Sequence, residues 1–266
     1  MTDDKSAAIA EAVARIAEAT ETRVPCAPVR DLIGTDDLDA AYAVQQGLVR
    51  RRLDVGATVV GRKIGATSQA VQDQLGVDQP DFGYLLADMD VSPDDVAGDP
   101  ISMERLLQPR VEAEVAFVLG ADLDGDLTDE TVRAAVAYAL PSIEIVDSRI
   151  AGWDITFADT VADNASSGLY VVGTDRRTLD DFEPVGVTMS LSINGEIRST
   201  GNGAACLGDP LNALLWLAKQ AKTFGDPLRA GQVILSGALG PFVPFESGDR
   251  VVAEIETLGS ISICFK

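Results

Sequence analysis

Histidine is absent from all 266 residues of the chain. That absence removes Ser-His-Asp triads and Cys-His dyads, and with them histidine-ligated zinc and haem. Chemistry here must run on carboxylates, lysines, hydroxyls, backbone amides or a metal held by oxygen. Cysteine is scarce: Cys26, Cys206 and Cys264 are far apart and odd in number, with no CxxC or zinc spacing. A reducing cytosol fits that usage, and a cytoplasmic location is expected. No uncharged apolar run reaches the roughly 18 residues of a membrane span. The acidic opening MTDDKSAAIAEAVARIAEAT lacks the basic and apolar regions of a secretory signal. Bases are outnumbered as well: 21 Lys and Arg stand against 42 Asp and Glu, a net charge of −21. Such a chain repels nucleic acid and anionic lipid, so neither is an expected partner. A small anion can bind only through a local positive centre such as a metal ion. The acidity otherwise reads as a solvated surface.

What is present is globular. Hydrophobic residues make up 46% and charged residues 24%, near the average for a folded domain. The length suits one large domain or two modest ones, with a core that needs no staples. Ile9, Val13 and Ile16 predict a helix over 5–20. Thr35 predicts the N-cap of a second helix running to about Leu53, with Asp36 and Asp37 in its first turn. Val59, Val60 and Ile64 predict a short strand leading into GRKIGATS. A helix is expected over 68–75, then a turn-rich loop at VDQPDFG. Beyond residue 110, VEAEVAFVL reads as a strand, TDETVRAAVAYAL as a helix capped by Thr128, and PSIEIVDS as a short strand. VGVTMSLSINGEIRST reads as a hairpin, with alternating apolar residues and the type I′ turn pair Asn194-Gly195. Asp209-Pro210 opens a further helix that Gly225 ends, with Leu211, Leu214, Leu215 and Ala218 as its apolar stripe. QVILSGAL, VVAEIETL and SISICFK read as strands. The expected organisation is a helix-rich N-terminal region over 1–65 followed by a β-rich body over 66–266.

Two nucleotide-binding signatures fail. GATVVGRK has Arg62 where a P-loop lysine belongs and lacks the hydroxyl that should follow. GNGAAC ends in cysteine and follows a hairpin, not the strand of a βαβ unit. There is no GxSxG elbow.

The carboxylates are more informative. Glu112 and Glu114 lie two apart on the predicted strand VEAEVAF, so both face the same side while Val111, Ala113, Val115 and Phe117 face the other. Taken alone, this is an ordinary half-buried strand with a wet acidic face. Glu144 sits between Ile143 and Ile145 on another short apolar strand. Three glutamates on two such strands suggest oxygen ligands for a hard cation, Mg²⁺ or Mn²⁺. Lys63 lies in a glycine-lined apolar segment and is either a snorkelling surface residue or a functional cation. Asp81, Asp163 and Asn164 read equally well as turn or helix caps. Ser236 and Gly237 follow a buried-looking strand, where small residues let backbone amides approach a ligand or simply make a tight turn.

Six ordered segments together are far more specific than any one. GRKIGATSQAVQDQLGVDQPDFGYLL, RVEAEVAFVLG, PSIEIVDSRI, DTVADNASSGLYVVG, CLGDPLNALLWLA and LSGALGPFVP resemble the 2-keto-4-pentenoate hydratases of the fumarylacetoacetase superfamily, from about residue 35 to the C-terminus. The resemblance implies an α/β (α+β) fold: a small helix-rich N-terminal α/β region and a C-terminal mixed β-roll. It implies Mg²⁺ or Mn²⁺ on Glu112, Glu114 and Glu144. Lys63 matches the lysine of the family's KIG motif and Asp81 the aspartate of its PDxG motif, both expected to be catalytic. Asn164, Ser166, Ser236 and Gly237 fall in segments expected to line the substrate pocket. The family often has CLGHP where this chain has CLGDP, a position that Asp209 serves as a helix N-cap.

The implied reaction is hydration of 2-hydroxypenta-2,4-dienoate or a close homologue to 4-hydroxy-2-oxopentanoate, in meta-cleavage catabolism. The implied partner is a small anionic 2-oxo or 2-hydroxy acid. Homo-oligomerisation is also implied, and association with neighbouring pathway enzymes belongs to the same expectation. The rival reading is 4-oxalocrotonate decarboxylase, which shares the metal motif. A catalytically inactive partner subunit is a third reading, disfavoured because a scaffold has no need of three clustered glutamates. The hydrolytic relatives typically activate water with histidine, which this chain lacks. Burial and a metal's charge are expected to lower the Lys63 pKa.

Overall fold

The structure is a computed structural model that describes residues 3–69, 72, 77–92 and 99–266. Three helices open the chain: α1 (Asp3–Thr22), α2 (Arg30–Ile33) and α3 (Leu38–Asp54). Strands β1 (Val59–Gly65), β2 (Asp81–Leu86) and β3 (Pro109–Leu119) follow, then α4 (Asp129–Ala135), β4 (Val136–Asp147), α5 (Phe157–Ala162) and β5 (Ser167–Val172). The remainder is β6 (Thr188–Ile193), β7 (Glu196–Asn202), α6 (Pro210–Thr223), β8 (Val233–Ala238), β9 (Val243–Pro244), β10 (Arg250–Ile255) and β11 (Gly259–Cys264).

Most of these elements fall where patterning puts them, and four differences are instructive. The cap of α3 is Asp37, not Thr35: its carboxylate accepts from the Ala40 N–H at 3.0 Å and also pairs with Lys5 at 2.7 Å. Asp81, Phe82 and Gly83 are not in a loop. They open β2, which pairs antiparallel with β1 along its length. The helix capped by Thr128 stops at Ala135, and the chain turns directly into β4. The apolar residues of VAYAL suit either period, and pairing with β3 from Leu119–Val136 onward decides for strand. Val185 is 37% exposed in a short 3-10 turn, so the buried alternation starts at Val187. The helix expected over 68–75 falls mostly outside the described residues.

Among the described residues, one sheet has the order β2-β1-β8-β3-β4-β5, with β9 pairing the start of β3. Within it β1 and β8 run parallel and the other neighbours antiparallel. A second sheet has the order β11-β10-β6-β7. The β6–β7 turn is Asn194-Gly195, with φ of +53° and +85°, as a type I′ turn requires. One face of the larger sheet presents Ile64, Phe82, Val111, Val115, Ile143 and Val171 to the inner residues of the second sheet and to Leu214, Leu217 and Ala221 of α6. Burying each large apolar side chain there contributes about 1.5–3 kcal/mol.

The N-terminal helices form their own core. Ala12, Ile16, Val29, Ile33 and Val44 pack against Phe157, Ala158, Val161 and Ala162 of α5. Asp159, fully buried on α5, ties the two parts together. Its carboxylate accepts from the Val29 and Arg30 N–H groups at 2.9 Å each and from Arg30 Nη1 at 2.8 Å. The helical layer thus fixes α5, and α5 leads straight into the site.

Candidate metal centre and active site

The site grows on the second face of the larger sheet. Val111, Ala113 and Val115 of β3 point to the main core, so Glu112 and Glu114 leave the strand on the opposite side. Antiparallel pairing places Glu144 of β4 directly across from Glu112, and Ser142 across from Glu114. One carboxylate oxygen from each glutamate lies within 4.8 Å of the others, and all three residues are buried. The half-buried strand with a wet acidic face, the ordinary reading of the sequence, is therefore not what forms.

β1 adds Lys63, which is only 3% exposed. Its Nζ lies 3.2 Å from Glu144 Oε1 and donates to the Ala165 carbonyl at 2.9 Å. β2 adds Asp81, the ladder partner of Gly65. A Cβ on Gly65 would stand 2.2 Å from Asp81 Oδ1 and 3.4 Å from Lys63 Nζ, so glycine keeps open the place where the two groups converge. β8 adds a bulge. Between Glu114–Ala238 and Ala116–Leu235 its register slips, and Gly237 takes a φ of +104°. The Gly237 N–H donates to Glu114 Oε2 at 2.8 Å, and a Cβ there would meet Thr67 Cγ2 at 2.4 Å.

The segment after α5 closes the cluster. Asn164, Ala165 and Ser166 have φ of +53°, +52° and +51°. Three successive left-handed residues other than glycine cost on the order of 1–2 kcal/mol each, so other contacts must hold them. Asn164 supplies some. Its Oδ1 accepts from the Tyr84 N–H at 2.8 Å, and its Nδ2 donates to the Tyr84 carbonyl at 3.0 Å and to Ser167 Oγ at 2.6 Å. Gly83 gives the turn room, since a Cβ there would meet the Asn164 carbonyl at 2.4 Å. Ser166 is buried with its hydroxyl 3.3 Å from Thr160 Oγ1, and Ser236 is buried with its hydroxyl 3.4 Å from the Gly237 carbonyl.

Burial dominates the electrostatics. It pushes the Glu112 carboxyl up, with Lys63 opposing, and pushes Glu114 well up, reinforced by Glu144 and Glu112. It raises Glu144 to about 8 against the pull of Lys63, and it raises Asp81 against the same ammonium. For Lys63, burial works downward, but Glu144 and then Asp81, Glu112 and Glu114 outweigh it and leave the ammonium above its ordinary value. Four carboxylates around one cation thus outweigh the burial that was expected to lower it. Glu114 Oε1, Asp81 Oδ1 and Glu144 Oε2 are buried without a hydrogen-bond partner, and Glu144 Oε1 has the Lys63 ammonium 3.2 Å away. Buried carboxylate oxygens of this kind call for a cation. Three converging oxygen donors fit a hard divalent ion.

Comparison with known proteins identifies the family. Residues 60–265 match the family model described as fumarylacetoacetate (FAA) hydrolase C-terminal. A TodF product hydratase of Pseudomonas putida is 52% identical over 98% of this chain and 96% of its own length. The 2-keto-4-pentenoate hydratase 2 of Dechloromonas aromatica is 51% identical over 96% of each chain. The chain belongs to the 2-keto-4-pentenoate hydratase family. A solved structure of 4-oxalocrotonate decarboxylase from Pseudomonas putida G7, complexed with magnesium and adipate, superposes with a TM-score of 0.92 at 30% identity, covering 100% of this chain and 99% of that one. The hydratase family and the decarboxylase thus share one fold, and the mixed α+β architecture of this chain is that fold.

The structure brings together Lys63, Asp81, Glu112, Glu114, Glu144 and Gly237. It places Asn164, Ser166 and Ser236 beside backbone groups that touch the cluster. Sequence reasoning gave Asp163 only a capping role and did not single out Arg149. The two form a buried ion pair directly behind the 164–166 turn. The signal was available: Arg149 stands before Ile150 and Ala151, and Asp163 follows Val161 and Ala162, and charged residues beside such apolar runs need partners if buried.

Proposed function

We propose that this chain is a metal-dependent hydro-lyase that adds water to 2-hydroxypenta-2,4-dienoate (2-oxopent-4-enoate) or a close homologue, giving 4-hydroxy-2-oxopentanoate in meta-cleavage catabolism. The observation that carries the reading is the buried trio Glu112, Glu114 and Glu144 with Lys63 on its edge, in a chain about half identical to named hydratases over nearly its whole length. The trio would hold Mg²⁺ or Mn²⁺. A bound divalent ion supplies a Lewis acid for the substrate's carboxylate and 2-oxygen, and a positive centre for an anion entering an acidic protein.

The chain's own groups do the rest. The Lys63 ammonium, fixed by the Ala165 carbonyl and Glu144, holds a proton next to the reacting oxygen. Asp81 meets it over Gly65, and its unpaired Oδ1 is free to accept a proton or orient a water. Hydration requires a proton delivered to C5 of the dienol, water at C4 of the resulting 2-oxo-3-enoate, and a proton at C3. Lys63 and Asp81 are the pair assigned to those transfers. Gly237 acts behind the ligand set by orienting Glu114, and Asn164 acts by shaping the turn. Ser166 and Ser236 offer the hydroxyls for the substrate carboxylate. A cytoplasmic homo-oligomer, in reach of neighbouring pathway enzymes, completes the reading. No described helix is long and apolar enough to cross a membrane.

The decarboxylase reading draws on the shared fold. Its substrate carries a second carboxylate. The higher identity to named hydratases, 52% and 51% against 30% for the decarboxylase, favours hydration. The test is to generate 2-hydroxypenta-2,4-dienoate in situ and follow its ultraviolet absorbance with and without Mg²⁺ or Mn²⁺, identifying the product by mass. Metal-dependent loss of the dienol with gain of one water is expected. Ketonisation without added water, together with carbon dioxide release from 2-oxohex-3-enedioate, would transfer the assignment to the decarboxylase.

A further inference from the structure

The Lys63 ammonium is aimed by a backbone carbonyl, and that carbonyl sits in a turn that its own residues disfavour. Ala165 is the middle of the three left-handed residues, none of them glycine. Its carbonyl reaches Lys63 Nζ at 2.9 Å. What holds the turn from behind is Arg149, from the loop after β4. Its guanidinium brackets the turn: Nη2 donates to the Asp163 carbonyl just before it, and Nη1 donates to the Ser167 carbonyl just after it at 2.6 Å. Nη1 also binds the Asp147 carbonyl at 2.6 Å, and Nε binds Asp163 Oδ1 at 2.5 Å. The second Asp163 oxygen accepts from the Arg149 N–H at 3.0 Å and lies 3.3 Å from Ser148 Oγ. A planar, forked cation is the group that can span these acceptors at once; a lysine offers a single point of charge.

We propose that Arg149 is a positioning residue for the reaction. It fixes the 163–167 backbone so that the Ala165 carbonyl holds the Lys63 ammonium in line with Glu144. The proposal rests on the assignment of Lys63 as a proton-handling residue. Arg149 itself is buried at 8% exposure and belongs to the wall of a cavity of about 300 Å³. That cavity lies between the N-terminal helices and the sheet, with Ile16 and Leu48 on its helical side and Asp147, Asn164 and Ser167 on the other. The hydrogen bonds that Arg149 donates and its ion pair go to Asp147, Asp163 and Ser167 and not to the glutamate trio or Lys63, and the cavity at its side is the route offered to a small added cation.

The experiment compares R149K, R149A and K63M with the parent enzyme. R149K keeps the charge beside Asp163 but loses the fork. It is expected to stay folded by circular dichroism and to bind Mg²⁺ within about twofold of the parent by calorimetry. Its kcat should fall about 100-fold with KM little changed, the scale of loss when a reacting group is misplaced by about 1 Å. A crystal structure of R149K should show the Ala165 carbonyl moved out of hydrogen-bond distance from Lys63 Nζ. In R149A, methylguanidinium added at millimolar concentration should restore part of kcat through the cavity, and methylammonium should not. Should R149A fail to fold, R149K carries the test. A folded R149K with parental kcat overturns the proposal. So does a loss in which kcat, metal affinity and melting temperature fall together and methylguanidinium restores none of them, since that marks a purely structural role. Parental kcat in K63M would overturn the Lys63 assignment instead, and separates the two failures.

Discussion

Glu112 and Glu144 are direct cross-strand partners, both buried, on the sheet face that carries Lys63. Like charges so placed oppose folding unless a cation or a proton intervenes. The folded Glu144 carboxyl is raised from 4.5 to about 8, so the protonated form is favoured in the native state. Its stabilising contribution is complete below the unfolded value and is lost as pH rises through the folded one. Metal-free protein is therefore expected to melt at falling temperature between pH 5 and pH 8. Added Mg²⁺ should raise the melting temperature more at pH 8 than at pH 5. Differential scanning fluorimetry with chelator and with metal measures both, and E144Q should flatten the metal-free slope.

The same raised carboxyls predict a proton balance. Ligand glutamates must ionise to bind a cation, so Mg²⁺ binding near neutral pH should release protons. Calorimetry in two buffers of different ionisation enthalpy reads the number directly. E114Q should weaken Mg²⁺ affinity by at least about tenfold, since it removes one of three anionic donors. An unchanged titration curve would remove Glu114 from the ligand set.

Lys63 should be indispensable to turnover and dispensable to architecture. K63M is expected to lose about 10²–10⁴-fold in kcat, the range for a positioned acid or base. Its circular dichroism spectrum should match the parent. Parental rates in K63M would end its role in proton handling.

Asp159 predicts the opposite separation. D159A strips the acceptor from the Val29 and Arg30 N–H groups and from the Arg30 guanidinium. Breaking such a pair costs about 3 kcal/mol, the lower end for buried pairs because Arg30 is partly exposed. The urea midpoint should drop accordingly, while kcat per folded molecule in the absence of urea stays near the parent.

Local chemistry made much of this legible. The β6–β7 hairpin follows from alternation plus Asn194-Gly195, and α6 follows from Asp209-Pro210. The glutamate trio could be proposed because period two puts Glu112 and Glu114 on one side. What period two could not show is that the side is buried, or that Glu144 lies opposite Glu112, since register is a property of two strands. The α4–β4 boundary was hidden because Val132, Ala135, Ala139 and Leu140 satisfy a helical stripe until β3 competes for them. Arg149 and Asp163 escaped notice as a pair because they stand 14 residues apart, on a loop and at the end of a helix, where no local spacing rule joins them.

The place of β8 in the sheet has a consequence for the order in which the molecule can be made. β1 and β2 form one antiparallel pair, and β3, β4 and β5 form another antiparallel set, and in the strand order of the described residues β8 lies between the two. A chain emerging from the ribosome thus carries two open sheet edges, on β1 and β3, until residues 233–238 arrive to fill the gap. Such edges are templates for wrong pairing, and closing them late in synthesis is slow. The strand that closes them also delivers the Gly237 N–H to Glu114. An incomplete chain therefore holds β3 and β4 with their glutamates before that donor exists, and Glu114 is fixed in the same event that seals the sheet.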